Sequence, residues 1–520
     1  MKRGFLRPLR LLGVLLFSAL PLAGALNLAA PVAVQAAELK GGTLRIAILN
    51  DMTNFDPMQF STVNFHLIKN LYDGLIEYTP EGEAIPALAT AWEIAPDNKS
   101  VKVTLRDDVT FHSGAKLTSA DVAATLTKAS DPKLGKNVFA TTSVIQDWAT
   151  PDATTVVINF KQAVPSKQIL DLLQFTLPIE AAGIANVETQ EAGTGAYIVA
   201  NRAVGQGITL KANPNYWREN EPLSDTLEFT IFSDNDAAAA ALESGAVDMI
   251  YGAQSRSAVR LRDAGYTLVD GPGKLVQVFR INATRGPFTN EKFRQAFNFL
   301  MNREAILKAG YAGLGEVVAL PWAPASPAFD ASYTEKYAFN LDKAKELLAA
   351  SGLTPAEQSA WKILVNGSNE ESGVLSQIVQ ATLAEVGINI ELEVKQGSEY
   401  VEAQLAGNFD TTFGGVGNVQ KFPSRVATNS IYRTAKNPVL GDPHPFQDYV
   451  DAIARVSSTV GTEAEVKASY DNLNEVLVKD SFGIPTNTQT TGLIIASPKV
   501  DGFTLDMDNL LVARTIGFKE

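Results

Sequence analysis

The chain has 520 residues, too many for one hydrophobic core, so two or three domains are expected. Its composition, 46% hydrophobic and 19% charged, is that of an ordinary globular protein rather than a disordered one. The net charge of -13 argues against nucleic acid and anionic membrane surfaces as partners, because both are negatively charged. We interpret the acidic excess as a surface that keeps the protein soluble.

The first 36 residues have the pattern of a secretory signal peptide. Four basic residues precede an apolar stretch from Leu11 to Leu26, and small residues at 34–36 offer a cleavage site. Pro21 interrupts the apolar stretch, which argues against a membrane anchor. Without this segment the net charge becomes about -17, and no later stretch approaches ~18 uninterrupted apolar residues. The mature protein is therefore expected to be exported and soluble.

Cysteine is absent from the chain. An exported protein without disulfides must be held together by its cores alone. It also has no thiol for a lipid anchor after the signal. We therefore expect a protein that diffuses freely in a Gram-negative periplasm.

Predicted strands and helices alternate after the signal. Alternating or mostly apolar runs predict strands around residues 44–48, 101–105, 152–160, 227–231, 363–365, 388–394 and 409–413. Capping residues mark helix starts: Thr118 or Ser119 precedes one helix, and Ser233 precedes an alanine-rich helix that Gly245 ends. Further helices are predicted over residues 375–386 and 398–406. The strand–helix–strand order is typical of parallel β-α-β units.

The stretch from residue 274 to 307 is the most informative. Its apolar residues from Leu275 to Ile281 do not keep to one parity, which predicts a strand buried on both faces. Asn290 can cap the helix that follows. That helix has one apolar stripe, formed by Phe293, Ala296, Phe297 and Leu300. A second short helix is predicted to start near Arg303.

These motifs together resemble one family. One segment is similar to the crossover into the second lobe of the peptide- and nickel-type solute-binding proteins, the periplasmic receptors of ATP-driven importers. It consists of Asn282, then Gly286-Pro287-Phe288 and the run FRQAFNFLMNREAI. The most specific resemblance lies in the section with Trp92, Leu105-Arg106, Phe111-His112, Gly114 and Asp121-Val122. Residues 193–197 resemble the family's Gly-Thr-Gly-Pro-aromatic turn, with alanine replacing the proline, and residues 213–217 its Asn-Pro-x-Tyr-Trp turn. The resemblance covers nearly all of residues 40–520.

The resemblance implies an α/β, periplasmic-binding-protein-like fold, with two α/β lobes, a hinge and a small extra subdomain in the first lobe. We expect a signal peptide at 1–36, lobe I at 37–275 and 487–520, and lobe II at 276–486. The accessory subdomain is expected at about 84–200. A chain that crosses twice between lobes can close them around a ligand.

No motif in the sequence supports catalysis. His66, His112 and His444 are too scattered for a metal-ligand motif, and no Gly-x-Ser-x-Gly elbow occurs. The glycine clusters at 271–273 and 313–315 lack the spacing of phosphate or dinucleotide loops. We therefore expect no enzyme activity, no cofactor and no metal.

The family also implies where the ligand binds, through loops that an α/β scaffold positions. In the family, the loop after the first strand, the segment after the Val-Asp strand and two loops of the second lobe face the cleft. The residues implied are Asn54, Phe55, Tyr251, Gln254, Trp322, Asn369, Glu371, Gly415, Val416, Asn418 and Arg425. The alternative is that Phe55, Tyr251 and Trp322 are aromatic residues of a core or a turn.

One departure from the family concerns charge. Its oligopeptide receptors hold the peptide's amino group with an aspartate several residues after the glycine pair that corresponds to Gly414-Gly415, and residues 415–423 contain no acid. A buried ammonium needs a carboxylate, which Glu371 or another acid would have to supply. Lys421 and Arg425 instead indicate an anionic ligand, unless both are solvated surface charges. We expect Arg425 to be the anion's partner.

We therefore predict a periplasmic receptor of an ABC importer that captures a peptide or peptide-like amino-acid conjugate. It would be a monomer that delivers its ligand to a permease and ATPase complex, with no nucleic-acid partner. A receptor for an oligosaccharide or opine-type sugar conjugate is the second prediction. A secreted hydrolase is the alternative from another class.

Overall fold

The computed structural model describes residues 39, 41–52, 54–59, 65–271, 274–417, 419, 421–490 and 492–519. Leu39–Glu520 form one compact unit. The predicted signal peptide lies outside the described residues. Within the described ranges, no helix combines the length and the apolar character needed to cross a membrane.

The first half of the chain contains twelve strands and six helices in its described part. The strands are β1 (Thr43–Ile48), β2 (Ile76–Tyr78), β3 (Ala84–Pro86), β4 (Ala89–Ile94), β5 (Ser100–Leu105), β6 (Ile145–Asp152), β7 (Thr155–Phe160), β8 (Tyr197–Ala203), β9 (Gly207–Ala212), β10 (Thr226–Ile231), β11 (Met249–Tyr251) and β12 (Thr267–Val269). The helices are α1 (Phe65–Leu71), α2 (Ser119–Ala129), α3 (Phe139–Thr142), α4 (Ser166–Phe175), α5 (Asn235–Glu243) and α6 (Ser255–Asp263).

The second half is richer in helix. Its strands are β13 (Lys274–Ile281), β14 (Lys362–Asn366), β15 (Glu391–Lys395), β16 (Thr411–Val416), β17 (Gly483–Thr490), β18 (Ile494–Ala496), β19 (Val500–Asp501), β20 (Thr504–Leu505), β21 (Leu511–Val512) and β22 (Gly517–Phe518). Its helices are α7 (Glu291–Leu300), α8 (Arg303–Tyr311), α9 (Ser332–Lys336), α10 (Leu341–Ala350), α11 (Pro355–Gln358), α12 (Glu370–Glu385), α13 (Gly397–Leu405), α14 (Gln447–Ser458) and α15 (Glu463–Asp480).

Two large sheets define two lobes. Lobe I is built on a seven-stranded sheet in the order β12-β18-β11-β1-β10-β9-β8, in which β1 is parallel to both β10 and β11. Lobe II is built on a five-stranded sheet in the order β15-β14-β16-β13-β17. The β10–α5–β11 segment is a parallel β-α-β unit, as its sequence pattern predicts.

An accessory sheet belongs to the first lobe's part of the chain. It has four antiparallel strands in the order β4-β5-β7-β6, and helices α2 and α4 pack with it around a separate core. Strand β8, which begins at Tyr197, is already part of the large sheet of lobe I. The four strands and the two helices lie between residues 89 and 175.

The crossings between the sheets differ slightly from the predicted boundaries. Strand β13 begins in the second sheet at Lys274, and β17 stays in that sheet up to Thr490. The chain rejoins the first sheet at Ile494. The predicted return at residue 487 is therefore too early, because the hydrogen bonds between β13 and β17 continue past it.

Strand β13 is buried on both faces, as predicted. Val276 and Val278 contribute to one core of lobe II, whereas Phe279 and Ile281 contribute to another, and all four are fully buried. A strand between two layers of helices needs apolar residues at both parities. One residue of this strand, Arg280, breaks the apolar pattern and is considered below.

The predicted helix starts are mostly confirmed. Asn290 caps α7 by accepting a hydrogen bond from the Phe293 amide at 3.1 Å. Thr118 caps α2 in a capping box with Asp121. The alanine-rich helix α5 is capped by Asp234 rather than by Ser233, since the carboxylate accepts from the Ala237 amide at 2.8 Å.

Candidate functional site

Two adjoining cavities lie between the lobes, and we refer to them together as the interlobe cavity. The first, of about 350 Å³, is lined by β1 and β11 residues of lobe I and by Asn369 and Glu371 of lobe II. The second, of about 340 Å³, extends into lobe II and shares Asn369, Glu371 and Gln489 with the first. Their volumes suit a small ligand, which typically occupies ~300–1,000 Å³.

A larger cavity of about 610 Å³ lies elsewhere, wholly within lobe I and its accessory region. Phe55, His112 and Glu191 are among its lining residues. Lobe II contributes nothing to it, so closure of the lobes cannot act on its contents. We therefore assign the site to the interlobe cavity.

The lobe I wall of the interlobe cavity includes two predicted residues. The Tyr251 hydroxyl donates to the Asn509 carbonyl oxygen at 3.1 Å, and the side chain is nearly buried. Gln254 is exposed at the start of α6, and its backbone N–H donates to the Asn235 side-chain oxygen at 3.0 Å. Both residues line the cavity. Asn235, also a lining residue, was not predicted.

The lobe II wall includes the first turn of α12. Asn369 caps this helix by accepting from the Ser372 amide at 2.9 Å, and Glu371 lies half-buried beside both cavities. Burial raises the pKa of Glu371 to about 7, although Arg256 lowers it, and Glu370 adds to the rise. The cavity therefore contains a carboxyl group that is poorly solvated and ready for a cationic partner.

Arg280 is a cavity residue that the sequence analysis missed. It projects from β13 beside the Gly414–Gly415 pair of β16, and its Nη2 donates to the Gly415 carbonyl oxygen at 2.9 Å. The available signal was a basic residue inside a strand predicted to be buried on both faces, since such a charge requires a partner. Gly415 itself also lines the cavity.

Arg425 does not have the position expected of it. Its Nη1 donates to Thr141 Oγ1 at 2.6 Å and lies 3.6 Å from an Asp171 carboxylate oxygen. Both partners belong to the accessory region of lobe I. The expectation that the ligand supplies the anion for Arg425 is therefore corrected: the protein's own Asp171 does so.

Lys421 takes part in the same cluster. Its ammonium lies 3.0 Å from Asp171 and 2.7 Å from Asp508, and it also donates to Gln174. Burial by itself lowers the pKa of Lys421, but the carboxylates of Asp508 and Asp171 raise it, and the net change is upward. We call Lys421, Arg425, Asp171 and Asp508 the interlobe charge cluster.

A second contact joins the lobes at their surface. Arg256 of α6 lies 3.0 Å from Glu370 of α12, and both side chains are more than half exposed. Together with the interlobe charge cluster, this pair links the lobes around the cavity.

The remaining predicted residues lie apart from the cavity. Phe55 packs in the core of lobe I, and Asn54 is engaged with Gln59 in the adjacent turn. Trp322 is fully buried in lobe II, where its indole nitrogen donates to Asn474 at 2.5 Å, and Val416 belongs to the same core. Phe55, Trp322 and Val416 are buried in cores, and Phe55 also lines the larger cavity of lobe I. Their role as ligand contacts stays a prediction. Asn418 lies outside the described residues.

The chemistry of the site is that of binding. The cavity presents the carboxyl groups of Glu371 and Asp508, a guanidinium and several amides and hydroxyls, and no group of three metal-ligating side chains occurs in the described ranges. Such a mixture can orient a polar solute through hydrogen bonds and ion pairs.

Two α/β lobes, two chain crossings and a cavity closed between them define a receptor that encloses a solute. Residues 83–437 match the model of the bacterial extracellular solute-binding proteins, family 5, and the chain belongs to this family. Proteins of this family bind peptides or other small ligands and deliver them to the permease and ATPase of an ABC importer.

Known proteins of similar sequence and structure agree with this assignment. The glutathione-binding protein GsiB of Salmonella typhi is 27% identical over 383 residues, which cover 71% of this chain and 72% of the relative. The structure of AgaA from A. tumefaciens R10 in complex with agropinic acid has a TM-score of 0.76, 23% identity and coverage of 92% and 99%. That of DppA from Helicobacter pylori in complex with the peptide STSA has a TM-score of 0.77, 20% identity and coverage of 93% and 99%. These two structures share the fold.

Proposed function

We propose that this protein captures a peptide or a peptide-like amino-acid conjugate in the interlobe cavity and delivers it to the permease. The observation that carries this proposal is the position of Glu371. The family aspartate after the glycine pair is absent here, and Glu371 places a carboxyl group in the cavity from the first turn of α12. This group is the partner for the ligand's ammonium.

The relatives support the size and chemistry of this ligand. GsiB is a glutathione-binding protein, and DppA was solved with a tetrapeptide. An opine-type conjugate is the second candidate, because AgaA, which shares the fold, was solved with agropinic acid. Both classes carry amino-acid groups, so both require charged partners in the cavity.

The protein works by binding and release, without catalysis and as a monomer. Export through a signal peptide at residues 1–36 places it in the periplasm, where the mature chain begins at or near Ala37. N-terminal sequencing of the protein released by osmotic shock tests this placement. Recovery of an intact Met1 in that fraction contradicts it.

A binding screen tests the ligand class. Glutathione, di- to tetrapeptides, opines, oligosaccharides and metal chelates are compared by thermal shift, and hits are measured by calorimetry. Peptide-like compounds are expected to stabilise the protein, because a ligand that binds only the native state raises its melting temperature. Stabilisation by an oligosaccharide or chelate alone rejects the peptide class.

Two neighbouring glutamates give a matched test of the site. Glu371→Gln is expected to weaken an ammonium-bearing ligand by at least ~10-fold, since it removes the anionic partner inside the cavity. Glu370→Gln changes the same chemistry one residue away, on an exposed side chain, and is expected to bind within about threefold of the wild type. Equal effects of the two variants rule out Glu371 as the ligand's partner.

A further inference from the structure

The interior of lobe II contains a guanidinium without an anionic partner. Arg280 is 6% exposed, and of its three nitrogens only Nη2 donates a hydrogen bond in the described part of the structure. The Nε atom is buried without a partner. A buried charge is costly unless it is paired, so this arrangement is unfavourable in the unliganded protein.

Among the described residues, no carboxylate lies close enough to Arg280 to pair with it. No described acidic side chain lies within ion-pair distance, and the titratable groups that act on Arg280 are the phenols of Tyr400 and Tyr432. Glu371 lines the same cavity as Arg280. Burial lowers the pKa of Arg280, although these phenols oppose the shift.

Other buried arginines of lobe II are bonded differently. Arg303 is equally buried and donates four hydrogen bonds to carbonyl oxygens, with Nε reaching Val318 and Pro485. Arg294 donates to the carbonyl oxygens of Asp480 and Phe288. Carbonyl groups of the fold therefore hold these two side chains, whereas Arg280 has one such bond.

The strand beside Arg280 is shaped to receive its side chain. Gly414 packs against the guanidinium, and a methyl group at that position would overlap it. The Gly415 carbonyl, which Asn429 also contacts at 3.0 Å, fixes one edge of the guanidinium. The Nε atom is buried without a partner, and the Arg280 side chain lines the interlobe cavity.

We propose that Arg280 is an anion subsite of the interlobe cavity and binds a carboxylate of the captured ligand. This inference rests on the proposed function, in which that cavity is the ligand site. It adds a substrate class: the ligand carries a free carboxylate at Arg280 and an ammonium at Glu371, at separate positions in one cavity. A fork of two N–H donors suits a carboxylate better than a neutral group.

The first experiment uses acetate, a carboxylate probe that needs no knowledge of the natural ligand. At about 100 mM acetate the melting temperature of the wild type is expected to rise by about 1 °C or more over chloride at equal ionic strength. Arg280→Met is expected to abolish this rise and to melt no lower than the wild type in chloride, because an unpaired charge leaves the interior. Arg303→Met is the structural control and is expected to melt much lower.

Opposite results overturn the proposal. These are an acetate shift that is absent in the wild type, or one that is equal in the wild type and Arg280→Met. If Arg280→Met does not fold, Arg280→Lys is measured in its place. Lysine keeps the positive charge but lacks the two parallel N–H donors of the guanidinium. It is expected to show a reduced acetate shift, and an unchanged shift counts against the subsite.

The second experiment compares acids with their blocked forms. Glutathione is paired with its diethyl ester, in which both carboxylates are blocked, and trialanine with its C-terminal amide. The acid of any binding pair is expected to bind at least ~30-fold more tightly to the wild type, and this preference is expected to disappear in Arg280→Met. Equal affinities for acid and blocked form overturn the proposal. Failure of all peptides to bind rejects the proposed ligand class instead, and the acetate experiment still decides on Arg280.

Discussion

Lobe II presents basic side chains to its surroundings in two places, and their partners differ. In the interlobe charge cluster, Lys421 and Arg425 have carboxylates of lobe I within 2.7–3.6 Å. In the interlobe cavity, Arg280 is as buried as Lys421, and no described carboxylate pairs with it. A cation paired by the protein itself holds the lobes together, whereas a cation left unpaired remains available to a ligand. The presence of a carboxylate thus distinguishes the closing contact from the binding contact.

Among these charged residues, loss of Lys421 should change lobe closure and ligand affinity the most. Lys421→Met leaves the Asp508 carboxylate buried without its cation when the lobes close and leaves Asp171 with only the more distant Arg425, at a cost of about 3–5 kcal/mol. The open conformation lets water reach both acids, so the variant is expected to favour it and to bind ligand about 100-fold less tightly.

Small-angle scattering measures this change. The ligand-free variant is expected to have a larger radius of gyration than the wild type, and saturating ligand is expected to restore compaction. Asp508→Asn added to Lys421→Met removes one of the stranded charges and should recover part of the affinity. A variant that stays as compact and binds as tightly as the wild type shows that the cluster does not hold the lobes.

The pH dependence of stability tests whether the carboxyl group of Glu371, an acid that lines the cavity, is poorly solvated. Its pKa is raised from the ordinary 4.5 to about 7, so the folded protein binds an extra proton between these values. Ionising it costs stability as pH rises through that window, by about 2 kcal/mol between pH 5 and 7.5. Glu371→Gln is therefore expected to match the wild type near pH 5 and to exceed its stability near pH 7.5.

Urea unfolding of the ligand-free protein at the two pH values checks this, with Glu370→Gln as the control. The control has an exposed side chain and is expected to follow the wild type at both values. If the stability of Glu371→Gln falls with pH as steeply as that of the wild type, the carboxyl group is well solvated, and its role as a desolvated partner is lost.

Arg425 should matter much less than its sequence context predicts. Its partner is Asp171 rather than the ligand, and Lys421 remains to neutralise that carboxylate when Arg425 is removed. Arg425→Ala is expected to cost about 1 kcal/mol of closure and to weaken binding by about fivefold. Calorimetry with the identified ligand measures it, and a loss above about 30-fold restores the original prediction that Arg425 contacts the ligand.

The surface pair of Arg256 and Glu370 should have the smallest effect. Both side chains are more than half exposed and solvent screens their attraction. Arg256→Gln is expected to leave affinity within about twofold of the wild type, and the difference should vanish at high salt. A larger, salt-resistant loss measured by calorimetry places Arg256 in the binding site rather than at its rim.

Local patterns in the sequence were enough for much of the fold. Asn290 and Thr118 cap the helices they precede, because a cap depends on residues three positions apart. Residues 275–281 have apolar side chains at both odd and even positions, and this pattern predicts a central strand, because both faces of such a strand are buried. Helix and strand order, together with the family motifs, implied two lobes and a cavity between them. The family motifs also implied that Tyr251, Gln254, Asn369, Glu371 and Gly415 face this cavity.

Tertiary structure alone decided which charges have partners. Lys421 and Asp171 are 250 residues apart in the chain, and no local pattern indicates that they meet. Three arginines show the difference: carbonyl oxygens bind Arg303, an aspartate pairs with Arg425, and no described acid pairs with Arg280. Trp322 is likewise a core residue because Asn474 satisfies its one donor. The reason is physical: local spacing sets backbone conformation and which face is apolar, whereas the energy of a buried charge depends on groups that only folding brings near it.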